Sequence, residues 1–387
     1  MSVSYLNVGN DSAGDNEELK LSPANCGLGH SCQFCPHEPH CSLDKPHHEK
    51  LLIESCLECI DQIVLVMANK GGVGKSTVSA NLATGLAQRG YRVGVADADI
   101  HGPNQSRFFG FAGEHVRLSE QGLATKDFTD DALEHPVKVG SLAFLMESDD
   151  TPIVWRDAYK HDFMHHLVGS FDWGELDFLI VDMPPGTGNE LITLSDMLEG
   201  ANVSALLATT PQDVALMDSL KAVRFCHERG LPMLGVVENM SGITCPHCSG
   251  EFHLFPRDHL VESLAKAGIE SLTQIPLALE LASGSDLGTP VVVAHPQSPA
   301  AQAFTPVVEA CITKAQSAFS QAAVHSLGDA FDKNLESSDL EDALAGFPEE
   351  ERDAMRQELE AMLSAEQQRL SGADVSVDSS SYDDSDK

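Results

Sequence analysis

The stretch Asn69-Lys70-Gly71-Gly72-Val73-Gly74-Lys75-Ser76-Thr77 places three glycines, two lysines and two hydroxyls side by side. Glycines let a backbone curl until successive N–H groups face one polyphosphate. Lys75 can then reach the β- and γ-phosphates, and Ser76 can offer its hydroxyl to Mg²⁺. A helix starting after the loop would add its positive end. The strict pattern G-x-x-x-x-G-K-[ST] asks for Gly at position 69, where this chain has Asn. K-G-G-x-G-K-[ST] between a strand and a helix still predicts nucleotide binding through Gly71, Gly72, Val73, Gly74, Lys75, Ser76 and Thr77; the bland alternative is a structural turn.

Two further segments carry carboxylates that fit the same chemistry. Ala96-Asp97-Ala98-Asp99-Ile100-His101-Gly102-Pro103-Asn104 follows one apolar run, and Ile180-Val181-Asp182-Met183-Pro184-Pro185-Gly186-Thr187-Gly188 ends another. Ligands bind outside the carboxyl ends of strands in an open parallel sheet. Asp182 there can hold the Mg²⁺ shell. Asp97 is expected near the metal, Asp99 is the candidate for orienting an attacking water, and Gly186 would bring a backbone N–H to the γ-phosphate. An isolated Asp at a strand end can also be no more than a helix cap.

The ten cysteines form groups. Cys245-Pro246-His247-Cys248 supplies two thiolates from one turn, half of a tetrahedral metal or cluster site. A two-fold dimer would bring two such pairs together. Cys26, Cys32, Cys35 and Cys41 share the N-terminal stretch with His30, His37, His40, His47 and His48. That mixture suits an iron–sulfur cluster or zinc, or it holds no metal. Cys56 and Cys59 sit three apart on a predicted helix, where a buried apolar face competes with a third metal pair. Cys226 and Cys311 stand alone on predicted helices (Asp218–Arg229 and Ala300–Ala318) and read as small core residues.

These residues need a scaffold, and the middle of the chain provides one. Short continuous apolar runs at Ile63–Met67, Arg92–Ala96, Phe178–Asp182, Val203–Ala208, Leu234–Glu238 and Val291–Val293 predict strands covered on both faces. Helical patterns such as Ser76–Gln88 and Val214–Arg229 separate several of them. Alternating strands and helices imply an α/β fold: a mostly parallel sheet flanked by helices, with right-handed crossovers. No internal repeat is visible.

Composition narrows the classes. The chain has 387 residues, 59 Asp plus Glu against 24 Lys plus Arg, and a formal net charge of −35. No basic stripe is available for nucleic acid or anionic membrane, so neither is expected as a partner. No apolar run approaches the ~18 residues of a membrane helix, and Met1–Lys20 is acidic without an apolar stretch, so a secretory or transit signal is not expected. A cytoplasmic location is the expectation, and there cysteines serve metal or redox chemistry before disulfides. From Ser326 to Lys387 there are 18 acids against 5 bases. Pro348-Glu349-Glu350-Glu351 opens a predicted helix carrying Met355, Leu359, Met362 and Leu363, and Ser371–Lys387 has almost nothing to bury. The expected organisation is a Cys/His-rich extension over 1–50, an NTPase domain over 51–322 and an acidic tail over 323–387.

Lys70, the second lysine of the loop, resembles the signature of the deviant Walker A class of dimeric ATPases. That resemblance implies that Lys70 reaches across a dimer to the partner's nucleotide. The ordered set Lys70–Thr77, Asp97–Asn104, Val154-Trp155-Arg156, Asp172-Trp173-Gly174-Glu175, Asp182–Gly188, Thr210-Pro211-Gln212-Asp213-Val214 and Asn239–Cys248 resembles the Mrp/NBP family of iron–sulfur cluster carrier ATPases over about Leu51 to Ala303. The resemblance implies ATP and Mg²⁺ in a homodimer, or a heterodimer with a paralogue. It also implies a 4Fe-4S cluster held between subunits on Cys245 and Cys248, and apo iron–sulfur proteins as recipients. Asn239 matches a position near the adenine, and Pro276 and Val292 lie in segments resembling nucleotide-side loops. Cys32-x-x-Cys35-x5-Cys41 matches three of the four cysteines of an NBP-type motif for a second cluster, with Cys26 spaced more tightly than usual. Two other classes fit less well. A positioning or partition ATPase needs a basic tail or surface and has no use for C-P-H-C. An electron-transfer reductase like the nitrogenase iron protein takes well-separated cysteines.

Overall fold

The computed structural model describes residues 32, 40–42, 44–100, 102–116, 118–119, 122–146, 157–186, 188–244, 247–248, 250–253, 255 and 258–317. The expectations on Cys26, Cys35, Cys245, Val154-Trp155-Arg156, the helix from Pro348 and the Ser371–Lys387 end lie outside these residues.

An eight-stranded sheet forms the frame. Its strands are β1 (Ile60–Met67), β2 (Val93–Asp97), β5 (Lys126–Phe128), β6 (Val137–Ser141), β7 (Leu176–Asp182), β8 (Val203–Thr209), β9 (Met233–Asn239) and β12 (Ser271–Ile275). Their order is β12-β9-β8-β1-β7-β2-β6-β5. Every neighbouring pair is parallel except β5 with β6. Two hairpins stand apart, β3–β4 (Leu118–Ser119 with Gly122–Leu123) and β10–β11 (Ile243–Thr244 with Glu251–Phe252).

The strand side chains alternate between two apolar layers. Ile63 and Leu65 of β1 join one core cluster with Leu179, Val181 and Trp173, while Val64 and Val66 join the other with Ile180, Leu206 and Phe304. Both faces of β1 are therefore dry, which is why it reads as an unbroken apolar run. Each fully buried Val, Leu or Ile contributes about 1.5–3 kcal/mol. Helix α2 (Lys75–Ala87) is buried along most of its length, so it lacks the one-sided stripe of a surface helix. Helix α1 (Lys45–Glu58) starts at the cap Asp44, whose side chain accepts from His47 N, and runs across residue 50. Its Ile53 packs against Gly169 at the end of α4 (Asp157–Gly169), a contact close enough that a Cβ there would meet Ile53 Cγ1 at 2.9 Å. The chain divides into two units, Met1–Ala315 and Gln316–Lys387, and only Gln316 and Ser317 of the second are described.

Several expectations change in detail. Val291–Val293 is not a strand; it lies in the one-turn helix α9 (Val291–Ala294), started by Pro290 and tied down where Val292 N donates to Asn81 Oδ1 at 3.2 Å. The predicted helix over Ala300–Ala318 is broken into α10 (Pro299–Gln302) and a helical stretch over 305–317, with a turn at residues 303–304. Asp172-Trp173-Gly174-Glu175 proves to be structural among the described residues. Trp173 is buried and donates its indole N–H to Leu167 O at 3.1 Å. Glu175 pairs with Arg92 at 2.6 Å, and Asp177 takes the same guanidinium at 2.8 Å.

Candidate nucleotide and thiolate sites

The phosphate loop leaves β1 and enters α2 at Gly74. Its φ of 86° lies in the left-handed region, and a Cβ there would come within 2.0 Å of Asn239 Nδ2. At this position only glycine satisfies both conditions. Asn239 ends β9 and donates Nδ2 to Val73 O at 2.8 Å, so it clasps the loop from below the glycine. The structure thus places Asn239 Nδ2 against the loop backbone.

Lys75 opens α2, and only 6% of it is exposed. Its Nζ lies 2.7 Å from Asp182 Oδ1 and 3.8 Å from Asp99 Oδ2. Burial alone would lower the Lys75 pKa, but Asp182, by charge and hydrogen bond, and then Asp99 and Asp97 outweigh it, and the net shift is upward. Lys75 is therefore a firmly held cation that a polyphosphate can draw away from the carboxylates. Asp97 and Asp182 are opposite each other in the β2–β7 register, and both are fully buried. Burial, and then the Asp182 charge, raise the Asp97 carboxyl to about 8. Asp97 Oδ2 accepts from Ser141 Oγ at 3.1 Å and from Gln105 N at 2.9 Å. Asp99 is partly exposed, so its carboxylate can meet water. Gly186 has φ of 98°, but its N–H donates to Ala68 O at 2.9 Å. In this conformation that amide braces the base of the loop instead of pointing to a phosphate.

Sequence reasoning missed Gln105 and Ser79. Ser79 Oγ donates to Asp182 Oδ1 at 3.1 Å from one turn beyond Lys75. Gln105 opens the four-residue helix α3 (Gln105–Phe108), is fully buried, and donates Nε2 to Asp182 Oδ2 at 2.8 Å and to Ser76 O at 3.1 Å. The only signal in the sequence was its place directly after the Asp97–Asn104 motif.

The donor set fits magnesium. Among the described residues no group of three or more His, Cys, Asp or Glu side chains could hold a metal by itself. Mg²⁺ does not require that, because it takes one or two protein oxygens and completes its shell with phosphates and water. Ser76 and Asp182 could provide those oxygens, and Gln105 Oε1, a buried acceptor with no partner among the described residues, lies among the same groups.

Beyond Asn239 the backbone turns through Met240, a non-glycine residue at φ 55°. Ser241 is then fixed on three sides: its N and Oγ both donate to Ile275 O, at 3.0 and 3.1 Å, and its carbonyl lies 2.6 Å from His253 Nδ1. The β10–β11 hairpin follows, with Cys248 exposed at its tip. Cys32 and Cys41 are half-buried. Cys59 is exposed at the end of α1, while burial, and then the neighbouring Cys59, push the Cys56 thiol up to about 12. Cys226 and Cys311 are core residues with thiols raised to about 11 and about 12 by burial.

Residues 59–312 match the family described as ParA: NUBPL iron-transfer P-loop NTPase. The chain belongs to this family. The match runs from the start of β1 into the last described helical stretch, so this chain is a P-loop NTPase, and Lys75, Asp97 and Asp182 all lie within the matched residues. A protein of Aquifex aeolicus called iron-sulfur cluster carrier protein is 40% identical over 251 residues, 65% of this chain and 67% of its own. One of the same name from Pyrococcus furiosus is 39% identical over 258 residues, 65% of this chain and 85% of its own. A nucleotide-binding protein of Archaeoglobus fulgidus, solved in complex with ADP, is 33% identical, with a TM-score of 0.53 over 62% of this chain and 91% of its own. The Mrp/NBP resemblance read from the motifs agrees with these relatives. Among the described residues no helix is long and apolar enough to cross a membrane.

Proposed function

We propose that this NTPase is an ATP-dependent carrier that holds an iron–sulfur cluster and passes it to apoproteins. The observation that carries the reading is the path from loop to cysteines. Asn239 clasps the phosphate loop at Val73, and only six residues further along the same backbone comes Cys245. Movement of the loop around a nucleotide is therefore felt at the base of the thiolate hairpin. Relatives named iron-sulfur cluster carrier protein support the cargo.

In this reading ATP lies along the loop, drawing Lys75 from Asp182 to its β- and γ-phosphates. Magnesium, held by Ser76 and Asp182, would neutralise charge on the phosphate oxygens. Asp99 orients the attacking water, and Lys70 acts on the nucleotide of a second copy. Cys245 and Cys248 give half of a four-thiolate set, so the cargo is a 4Fe-4S cluster shared between two copies. Cys26, Cys32, Cys35 and Cys41 hold a second cluster, with zinc as the competing occupant. The working division is a metal-binding extension over 1–50, the NTPase domain over 51–322 and an acidic tail over 323–387.

The test is anaerobic reconstitution of the full chain with iron and sulfide, followed by transfer to an apo-ferredoxin. The wild type should take up about four irons at the shared site per dimer and release them to the acceptor in a nucleotide-dependent way. Cys245→Ser with Cys248→Ser should lose that iron while keeping ATP binding. Full retention of the same iron and the same spectrum would sink the reading.

A further inference from the structure

Gln105 is the residue of the nucleotide site that no motif explains. Its side chain is fully buried at the start of α3, between three parts of the centre. Nε2 donates to Asp182 Oδ2 at 2.8 Å and to Ser76 O at 3.1 Å, while its backbone N donates to Asp97 Oδ2 at 2.9 Å. Both partners of Nε2 are acceptors, a carboxylate and a carbonyl, so the amide must present its NH₂ to them. That fixes the other end of the amide: Oε1 is buried and meets no donor among the described residues. Buried acceptors are nearly always satisfied, and one that is not, inside a site, points to a ligand donor.

The neighbours say which kind of donor. Asp182 has one oxygen with Lys75 and Ser79 and the other with Gln105. When Lys75 turns to a polyphosphate, Asp182 Oδ1 loses its strongest partner, and Gln105 still holds Oδ2. The carboxylate keeps its orientation while it exchanges an ammonium for the hydration shell of a cation. An amide carbonyl beside that carboxylate is suited to accept from a water of the same shell, since metal-bound water is a strong donor and Mg²⁺ keeps several. We propose that Gln105 is a positioning residue for the divalent cation: it aligns Asp182 through Nε2 and takes a hydrogen bond from a cation-bound water on Oε1. It thereby ties the segment after β2 to Ser76 and Asp182 whenever Mg²⁺·nucleotide is bound. The inference rests on the nucleotide reading of this site and adds a residue to it.

The test uses the full chain with Mn²⁺ as a spectroscopic substitute for Mg²⁺. Fluorescent ADP is first bound in EDTA, then free Mn²⁺ is titrated and the bound ion followed by electron paramagnetic resonance. Gln105→Leu is loaded with nucleotide to saturation in EDTA, so that metal binding is read at equal nucleotide occupancy in both proteins. It should need about tenfold more free Mn²⁺ to saturate, the scale of losing an outer-shell partner of a metal, and its Mn²⁺ spectrum should broaden. A variant that binds the nucleotide and shows wild-type Mn²⁺ affinity and spectrum would overturn the proposal. If Gln105→Leu does not fold, Gln105→Asn carries the test with the same two outcomes, because its shorter amide cannot span Ser76 and Asp182. Failure of the wild type itself to bind nucleotide would instead strike at the nucleotide reading, so the two failures are distinguishable.

Discussion

The phosphate centre and the thiolate hairpin are built in opposite ways. Lys75, Asp97, Asp182 and Gln105 are buried and joined by hydrogen bonds from four separate segments of the chain. Cys248 is exposed on a hairpin whose two strands have two residues each. The first is braced from within a single chain, and its geometry is over-determined. In the proposed reading the other supplies half of a ligand set, and its geometry is set by whatever meets it. Hydrolysis needs groups held in place before substrate arrives, because preorganised charge is what lowers the barrier. A cluster carrier needs the reverse, ligands that can open to solvent and give the cluster up.

The largest expected effect separates the two at once. Lys75→Ala removes the cation that a polyphosphate would engage, and steady-state ATP hydrolysis should fall by about a hundredfold to a thousandfold. It also leaves Asp97 and Asp182 facing each other without a counter-charge, so Asp97 should titrate still higher. Iron uptake on Cys245 and Cys248 should be retained in the same preparation. Loss of both activities together would show that the two regions are one cooperative site.

Next in size is an effect of acid. His166 of α4 is buried, and burial, and then His165, lower its pKa from 6.5 to about 4. A histidine whose folded pKa is depressed favours the folded state fully above its unfolded pKa, and that advantage is lost as pH falls from 6.5 toward 4. At pH 5 the loss is about 2 kcal/mol. Urea unfolding of the body should show this decline between pH 7 and pH 5, and His166→Gln should flatten it. An undiminished slope in the variant would assign acid sensitivity elsewhere.

How much of this was readable beforehand follows the same division. Asp97, Asp182 and the phosphate loop were legible because strand ends and glycine-rich turns leave strong local patterns, and β1, β2, β7, β8 and β9 fall where the apolar runs put them, within a few residues. The run Val291–Val293 misled because three valines after a proline suit a strand or a buried turn of helix equally. The choice was made by α2, whose Asn81 holds the Val292 amide. Strands β6 and β12 were missed because Val137–Ser141 and Ser271–Ile275 mix polar residues into short segments, and β12 lies at the sheet edge, half in solvent. Gln105 had no local signal beyond its place after the Asp97–Asn104 motif, since its meaning comes from Asp182, 77 residues away.

A smaller change probes the link between the regions. Asn239→Ala removes the 2.8 Å bond to the Val73 carbonyl. Deleting one such bond costs about 1–2 kcal/mol. Nucleotide binding should weaken several-fold, while iron content stays the same. The informative quantity is the dependence of cluster release on ATP, which should shrink toward none. Unchanged coupling would mean that the signal crosses by another route, such as Ser241 and Ile275.

The smallest effect is a predicted null result, and it is the sharpest statement about the hairpin. Cys248 is exposed, so replacing its thiol with a hydroxyl removes no buried contact. Cys248→Ser should change the unfolding free energy of the cluster-free chain by no more than about 0.5 kcal/mol, the usual range for exposed positions. For a chain of this size that is a shift of no more than about 1 °C in Tm by calorimetry. The same substitution should abolish stable iron binding at the shared site, because losing one thiolate per copy leaves two of four. A large loss of stability without iron would mean that the hairpin is part of the folded body, and the contrast between the two sites would fail. Wild-type stability with lost iron would show that the thiolates serve the cargo alone and that the fold owes them nothing.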